Sequence, residues 1–278
     1  RDGTEPAKLH LAGLERGGGP ETTARLEEVL QRARTSSLVD EEASCAAALA
    51  ARCAFAGELS RAEATCTELL KLASRHGIAS AAADAWQTLA VVRQARGEVG
   101  SALEARREAV LAAHEGRLLT REATLMINVG FALTTVGARD EARESIMAGI
   151  SLAEATGSPG VVRHGQMNLL CWAATFGGEP DLDVHLEKPR RVADDASHGT
   201  WVPHDRATLG VLFYRGVELL RARTHVDEAR ALLRIAAAAY RATKMLDVVP
   251  VALGYWSQAE LLGGDRESAL AIATEAAM

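Results

Sequence analysis

Cysteine, proline and aromatic residues are scarce in this chain. Its 278 residues include four cysteines and seven prolines, and aromatic side chains make up 4%. Cys45, Cys53, Cys66 and Cys171 form no CxxC pair, and none stands beside a histidine at ligand spacing. That excludes a disulfide frame and a zinc site, and predicts reduced core thiols, with Cys53 and Cys66 on buried faces. No apolar run approaches the ~20 residues of a membrane span. The first twenty residues are polar and Gly-rich, which does not match a secretory leader. These absences predict a cytoplasmic protein.

Positive charge is also in short supply. Lys and Arg total 31 against 37 Asp and Glu, a net charge of −6. Direct nucleic-acid binding needs clustered cations, so it is not expected. The one dense basic run, Lys188-Pro189-Arg190-Arg191, is short and flanked by acids. It reads as a solvated face, with phosphate or partner docking as the alternative. Catalytic signatures are missing too. Gly17-Gly18-Gly19 lacks the Lys-Ser/Thr of a phosphate loop, and there is no GxSxG, HExxH or Gly-rich dinucleotide fingerprint. The expectation is a non-enzyme with no cofactor and no metal.

What the chain does have is a repeated phrase. A Gly followed five residues later by Ala occurs at Gly57/Ala62, Gly97/Ala102, Gly137/Ala142 and Gly264/Ala269. Gly19/Ala24 opens the series 38 residues before Gly57, and Thr224/Ala229 carries it with Thr in place of Gly. Gly177 keeps the 40-residue step, with Leu182 in place of Ala, and only the step to Thr224 breaks rhythm, at 47 residues. A fixed period of this size means stacked supersecondary units.

Each unit is helix–turn–helix. Apolar residues recur at three- and four-residue steps before each Gly, as in DAWQTLAVVRQAR, and after it, as in SALEARREAVLAAHE. Ser60-x-x-Glu63 and Ser101-x-x-Glu104 read as capping boxes of second helices. Ser158-Pro159 and Asp40-Glu41-Glu42 open first helices. Gly77, Gly116, Gly157 and Gly199 fall where second helices end. No segment alternates with period two, so no strands are expected. The prediction is an all-α chain, a right-handed superhelical solenoid of six to seven helix pairs over residues 1–278 as a single domain. Its turns fall near 19, 57, 97, 137, 177, 224 and 264, with a partial copy at about 5–16. An irregular connector is expected at about 178–203. Ala50, Ala90, Ala102 and Gly130 are placed at helix crossings, and Leu49, Leu89, Val129 and Leu169 in the core.

These units resemble tetratricopeptide repeats. Trp86 with Leu89-Ala90 and Gly97 fits that pattern, as do Asn128-Val129-Gly130 with Gly137 and Asn168-Leu169 with Gly177. The resemblance covers about residues 20–278. The 40-residue period is longer than the family's common one and is similar to that of large bacterial ATP-dependent transcriptional regulators and related ATPase- or kinase-linked regulators. It implies binding along a concave side lined by the first helices.

Projected onto one helix face, that side takes Ser44, Ala47, Ala51 and Ala54, then Asp84, Gln87, Val91 and Gln94, then Thr124, Ile127, Phe131 and Thr134. His164, Met167, Cys171 and Ala174 follow, then Val211, Tyr214, Glu218 and Arg221. The partner-binding residues expected are Gln87, Val91, Gln94, Ile127, Asn128, Phe131, His164, Met167, Asn168, Tyr214, Glu218 and Arg221. Asn128 and Asn168 hold the same place in adjacent units. Each either pairs with a peptide backbone or is satisfied within its repeat. The apolar middle of the face is either a groove or is covered by the chain itself.

Residues 177–205 hold Pro180, Pro189 and Pro203 with His185, His198, His204, Asp194, Asp195 and Asp205. They have no recognised ligand spacing. The reading is a longer connector plugged by Trp201, with a partner-binding loop as the alternative. Arg at position 1 and an end inside a helical pattern predict a piece of a longer protein.

The expected function is therefore a protein- or peptide-interaction domain of a larger cytosolic bacterial regulator. The alternatives are a small-molecule effector sensor of a transcriptional activator and a structural oligomerisation scaffold.

Overall fold

The computed structural model describes residues 20–197, 206–223, 225–243 and 248–277. Thirteen α-helices and one 3-10 turn account for the regular structure of these residues, with no strand among them. The helices are α1 (Pro20–Thr35), α2 (Val39–Phe55), α3 (Leu59–His76), α4 (Ala79–Ala95), α5 (Val99–Glu115), α6 (Leu119–Thr135) and α7 (Arg139–Ala155). They continue as α8 (Pro159–Phe176), the 3-10 turn Pro180–Leu182, α9 (Asp183–Ser197), α10 (Arg206–Ala222), α11 (Val226–Ala242), α12 (Val249–Leu262) and α13 (Arg266–Ala276). Consecutive helices pack as pairs, which makes the fold a helical repeat solenoid. The expected helix at about 5–16 and the turn residues Gly19 and Thr224 lie outside the described residues.

The turn chemistry explains the rhythm. Gly57, Gly97, Gly137 and Gly264 have φ between 79° and 89°, a left-handed conformation open to glycine without a Cβ penalty. Around each, the same two bonds close the helix end. Glu58 N–H donates to the Cys53 carbonyl at 2.9 Å and Gly57 N–H to Ala54 at 3.2 Å; Glu98 to Arg93 and Gly97 to Gln94 repeat it. This is a Schellman termination, which satisfies carbonyls the helix leaves unpaired.

The next helix begins at once. The Glu58 carbonyl accepts from Ala62 N–H and the Glu98 carbonyl from Ala102 N–H, so Glu58 and Glu98 are the capping positions and neither makes a side-chain cap. Ser60 and Ser101 lie inside the first turn, so the two capping boxes do not form. Gly116 also departs from expectation. Its φ is −78°, and Arg117 takes the left-handed place at φ 53°. Gly116 serves close packing instead, since a Cβ there would come within 2.4 Å of the Ala79 Cβ.

The chain divides between Leu125 and Met126 into two compact units. The first holds α1 to α5 and the start of α6. Its core is Leu26, Leu30, Leu49, Leu69, Leu89 and Val92, with Cys45, Cys53, Cys66 and a set of buried alanines. The second unit holds the rest of α6 through α13. Ile146, Ile150, Leu169, Leu170, Trp172, Leu209 and Leu212 are fully buried there. Gly130 and Ala142 mark the α6–α7 crossing: a Cβ on Gly130 would come within 2.4 Å of Ile146 Cγ1 and 2.8 Å of the Ala142 carbonyl oxygen. Ala50 and Ala90 are fully buried, and Ala102, Leu49, Leu89, Val129 and Leu169 are buried, each as the repeat register requires.

The irregular connector is corrected over most of its length. Asp183–Ser197 is a helix, α9, with Pro189 in its interior. A proline there forfeits one backbone bond, at a cost of about 3 kcal/mol. Burial of Leu182, Leu186, Pro189, Ala193 and Ala196 offsets it, because these five lie on one helical stripe. Gly177 at φ 92°, ψ 147° leads into the 3-10 turn in place of the usual tight turn. The basic run is corrected as well: Pro189 is buried and Arg190 is half-buried and ion-paired, while Lys188 and Arg191 remain in solvent. His198, Trp201, Pro203, His204 and Asp205 lie outside the described residues.

Candidate functional site: the face of the first helices

In the first unit the projected face opens into a trough of about 420 Å³ between α2 and α4. Ser44, Ala47 and Ala51 from α2 line it with small side chains, and Asp84 and Thr88 come from α4. The periodic placement of Ala and Ser on one face of α2 leaves this volume empty. Asp84 forms an ion pair with Arg121. Phe55 stands at the C-terminal end of α2, 78% exposed, and also lines the trough. Burial pushes the Cys45 and Cys53 thiols up to about 11, each aided by a nearby glutamate, so neither is a nucleophile near neutral pH.

Of the residues expected to bind a partner in this unit, Gln87 and Val91 are half-buried and Gln94 is exposed. Val91 packs against the core. The Gln94 side-chain oxygen accepts from the buried guanidinium of Arg106, whose pKa burial lowers.

The second unit gathers Asn128, His164 and Asn168. His164 Nε2 meets Asn128 Oδ1 at 3.1 Å, and Asn168 Nδ2 donates to the His164 carbonyl at 2.9 Å. Burial lowers the His164 pKa, which favours the neutral ring at neutral pH. Asn168 is only 2% exposed and its amide is spent inside α8. Expectation is corrected here: Asn168 supports its own repeat and does not line an open groove. Ile127 is corrected in the same way, because it is 0% exposed and its Cδ1 packs towards Gly165.

Other members of the face are engaged internally. Met167 fills the space over Gly210, where a Cβ would lie 2.4 Å from the thioether sulfur. Tyr214 is hydrogen-bonded to the buried Cys171 thiol, and burial raises the pKa of both. Glu218 accepts from Arg190 and Arg215, and Arg221 donates to the Thr175 carbonyl at 2.5 Å. Phe131 is half-buried. The apolar middle of this face is therefore largely occupied by the unit's own packing.

Phe55 and Arg52 were not among the expected binding residues, yet both line the first trough. Their signal was positional: both lie in the last turns of a first helix, beside the projected stripe. Among the described residues, no group of three or more His, Cys, Asp or Glu side chains is placed to hold a metal ion. No described helix is long and apolar enough to cross a membrane.

No protein-family model matches the chain. No curated protein matches it either. Among solved structures it is similar to the crystal structure of BtubC (BKLC) from P. vanneervenii, at 14% identity and a TM-score of 0.48, covering 91% of this chain and 87% of that one. A likeness this remote says nothing of partner or activity.

Proposed function

We propose that this chain is a non-catalytic interaction domain of tetratricopeptide type, part of a larger cytosolic bacterial regulator, and that it binds a protein or peptide segment along its first helices. One observation carries the reading: the trough of about 420 Å³ over α2 and α4, with a floor of Ser44, Ala47 and Ala51 and an exposed Phe55 at its end. Small side chains in register leave room for another backbone to approach closely. An exposed aromatic beside a shaped hollow is the composition of a binding hot spot.

The test is affinity capture from the source cell with the native chain and with Ala47→Trp and Ala51→Arg, both of which fill the trough. A partner retained by the native chain and lost by both variants supports the reading. Equal capture by all three overturns it.

A small-molecule effector is the second reading, because the trough volume falls within the ~300–1,000 Å³ of ligand pockets. A metabolite that raises the thermal midpoint of the native chain but not of Ala51→Arg would select it.

A further inference from the structure

A second surface lies in the second unit, where α8, α9 and α10 meet. Pro189 and Val192 of α9 and Val211 of α10 enclose an apolar slot of about 70 Å³. Arg163 from α8 and Lys188 from α9 stand at its rim. Val192 is 38% exposed, and Val184 on the same helix is left in solvent as well. The slot has room for the end of one aliphatic side chain.

The charges around it are one-sided. α8 contains no acidic residue, and its only Lys or Arg is Arg163. α10 has one acid, Glu218, which is held by Arg190 and Arg215. On α9, Asp183 pairs with Arg190 and Asp194 with Arg215. Its remaining acids, Glu187 and Asp195, are exposed and do not line the slot. Arg163 and Lys188 are exposed, and among the described residues neither has an ion-pair partner. Elsewhere Arg96–Glu63, Arg139–Glu179 and Arg230–Glu260 are matched pairs. An apolar hole with two unmatched cations at its rim is the complement of an aliphatic side chain flanked by carboxylates.

We propose that this slot docks an acidic peptide segment of another protein, with one Leu, Ile or Met seated between Pro189, Val192 and Val211 and its flanking Asp or Glu side chains on Arg163 and Lys188. Nucleic acid is the weaker fit. A phosphate backbone rewards many cations in a row and has no aliphatic group for the slot, and the chain as a whole carries −6.

The experiment is a peptide-display selection on the full chain, with random peptides of about a dozen residues, sized to one helix-in-groove contact. Selected peptides are then measured by fluorescence anisotropy against the native chain, Arg163→Glu/Lys188→Glu, Val192→Asp, and the trough variant Ala51→Arg. All the altered side chains at the slot are rim or surface groups, and circular dichroism checks that each variant is folded. The expected result is enrichment of peptides with Asp or Glu flanking an aliphatic residue. Their affinity should fall by at least about tenfold in the charge-reversed and Val192→Asp variants, and be unchanged in Ala51→Arg. Three results would overturn the proposal: no acidic–aliphatic enrichment; binding indifferent to the slot variants; or an oligonucleotide binding as tightly as the peptides. Sedimentation velocity adds a fourth: if the native chain is dimeric and the charge-reversed variant monomeric, the slot belongs to a second copy of the chain. Because Ala51→Arg spares this site and removes the trough, failure here and failure of the trough reading are distinguishable.

Discussion

At the residue scale, the smallest side chains carry the sharpest constraints. Gly130 sits on α6 where α7 crosses it, and any added carbon must displace Ile146 or the Ala142 backbone. Gly130→Leu, and Ala102→Leu at the equivalent crossing in the first unit, should each cost roughly 1–3 kcal/mol. Gly254 provides the control. It lies inside α12 with nothing within 4 Å of its missing Cβ, so Gly254→Ala should stabilise by about 0.5–1 kcal/mol. Urea melts of the three variants check the register directly, and unchanged stability at Gly130 and Ala102 would count against it.

Two titrations belong to the same scale. Burial pushes the Cys45 and Cys171 thiols up to about 11 and Cys66 up to about 12. The folded chain should therefore be inert to Ellman's reagent at mildly alkaline pH, with all four thiols reacting once denaturant is added. His164 is depressed from its ordinary 6.5 by burial. Below 6.5 the unfolded chain takes up a proton that the folded chain refuses, so stability falls with pH until the folded value is reached. Above 6.5 this pH dependence vanishes. The acid loss should be smaller in His164→Gln, measured as the difference between the two melting profiles.

At the element scale, α9 is the helix with the most to lose. It holds a proline in its interior, and its attachment to α10 runs through Arg190, Glu218, Arg215 and Asp194. Glu218 is largely buried between two guanidinium groups. Its removal leaves both without their shared carboxylate. Glu218→Gln should cost about 2–3 kcal/mol, between a surface pair and a fully buried one. Hydrogen exchange should rise first in α9, with the first unit unaffected. Protection lost evenly over the chain would contradict this account of how α9 is held.

This helix also shows where reading the sequence fell short. Three prolines and a lapse in the repeat hid α9 behind the expectation of a connector. Yet Leu182, Leu186, Pro189, Ala193 and Ala196 keep helical spacing. The stripe was legible; the weight of Pro189 concealed it. The capping boxes failed for the opposite reason. Ser60 and Ser101 match a motif, but the preceding Schellman turns already begin the helices at Leu59 and Val99. A local signal lost to the geometry of the element before it.

At the scale of the whole molecule, the described helices touch their neighbours in sequence and the helix two places along, as α2 touches α4 and α8 touches α10. Stability in such an array is a sum of local terms and nearest-neighbour interfaces. Ile272→Ala in α13 should therefore speed hydrogen exchange in α12 and α13 while leaving α2 to α5 at native protection. Exchange mass spectrometry reads both regions in one experiment. A uniform loss would show one cooperative unit in place of two.

The sequence alone determined the helices apart from α9, the turns at Gly57, Gly97, Gly137 and Gly264, and the small residues at the crossings. Those depend on φ at a glycine, on a 3.6-residue period and on side-chain volume, all of them local properties repeated every 40 residues. Only tertiary structure decided which face residues stay open. Ser44 and Ala51 line a hollow, whereas Ile127 and Asn168, at the matching face, are sealed by their own neighbours. The difference lies in what each side chain meets across the helix interface: in one unit small groups leave a void, and in the other Met167, Tyr214 and His164 fill it. Packing partners of that kind are distant in sequence, and no periodicity specifies them.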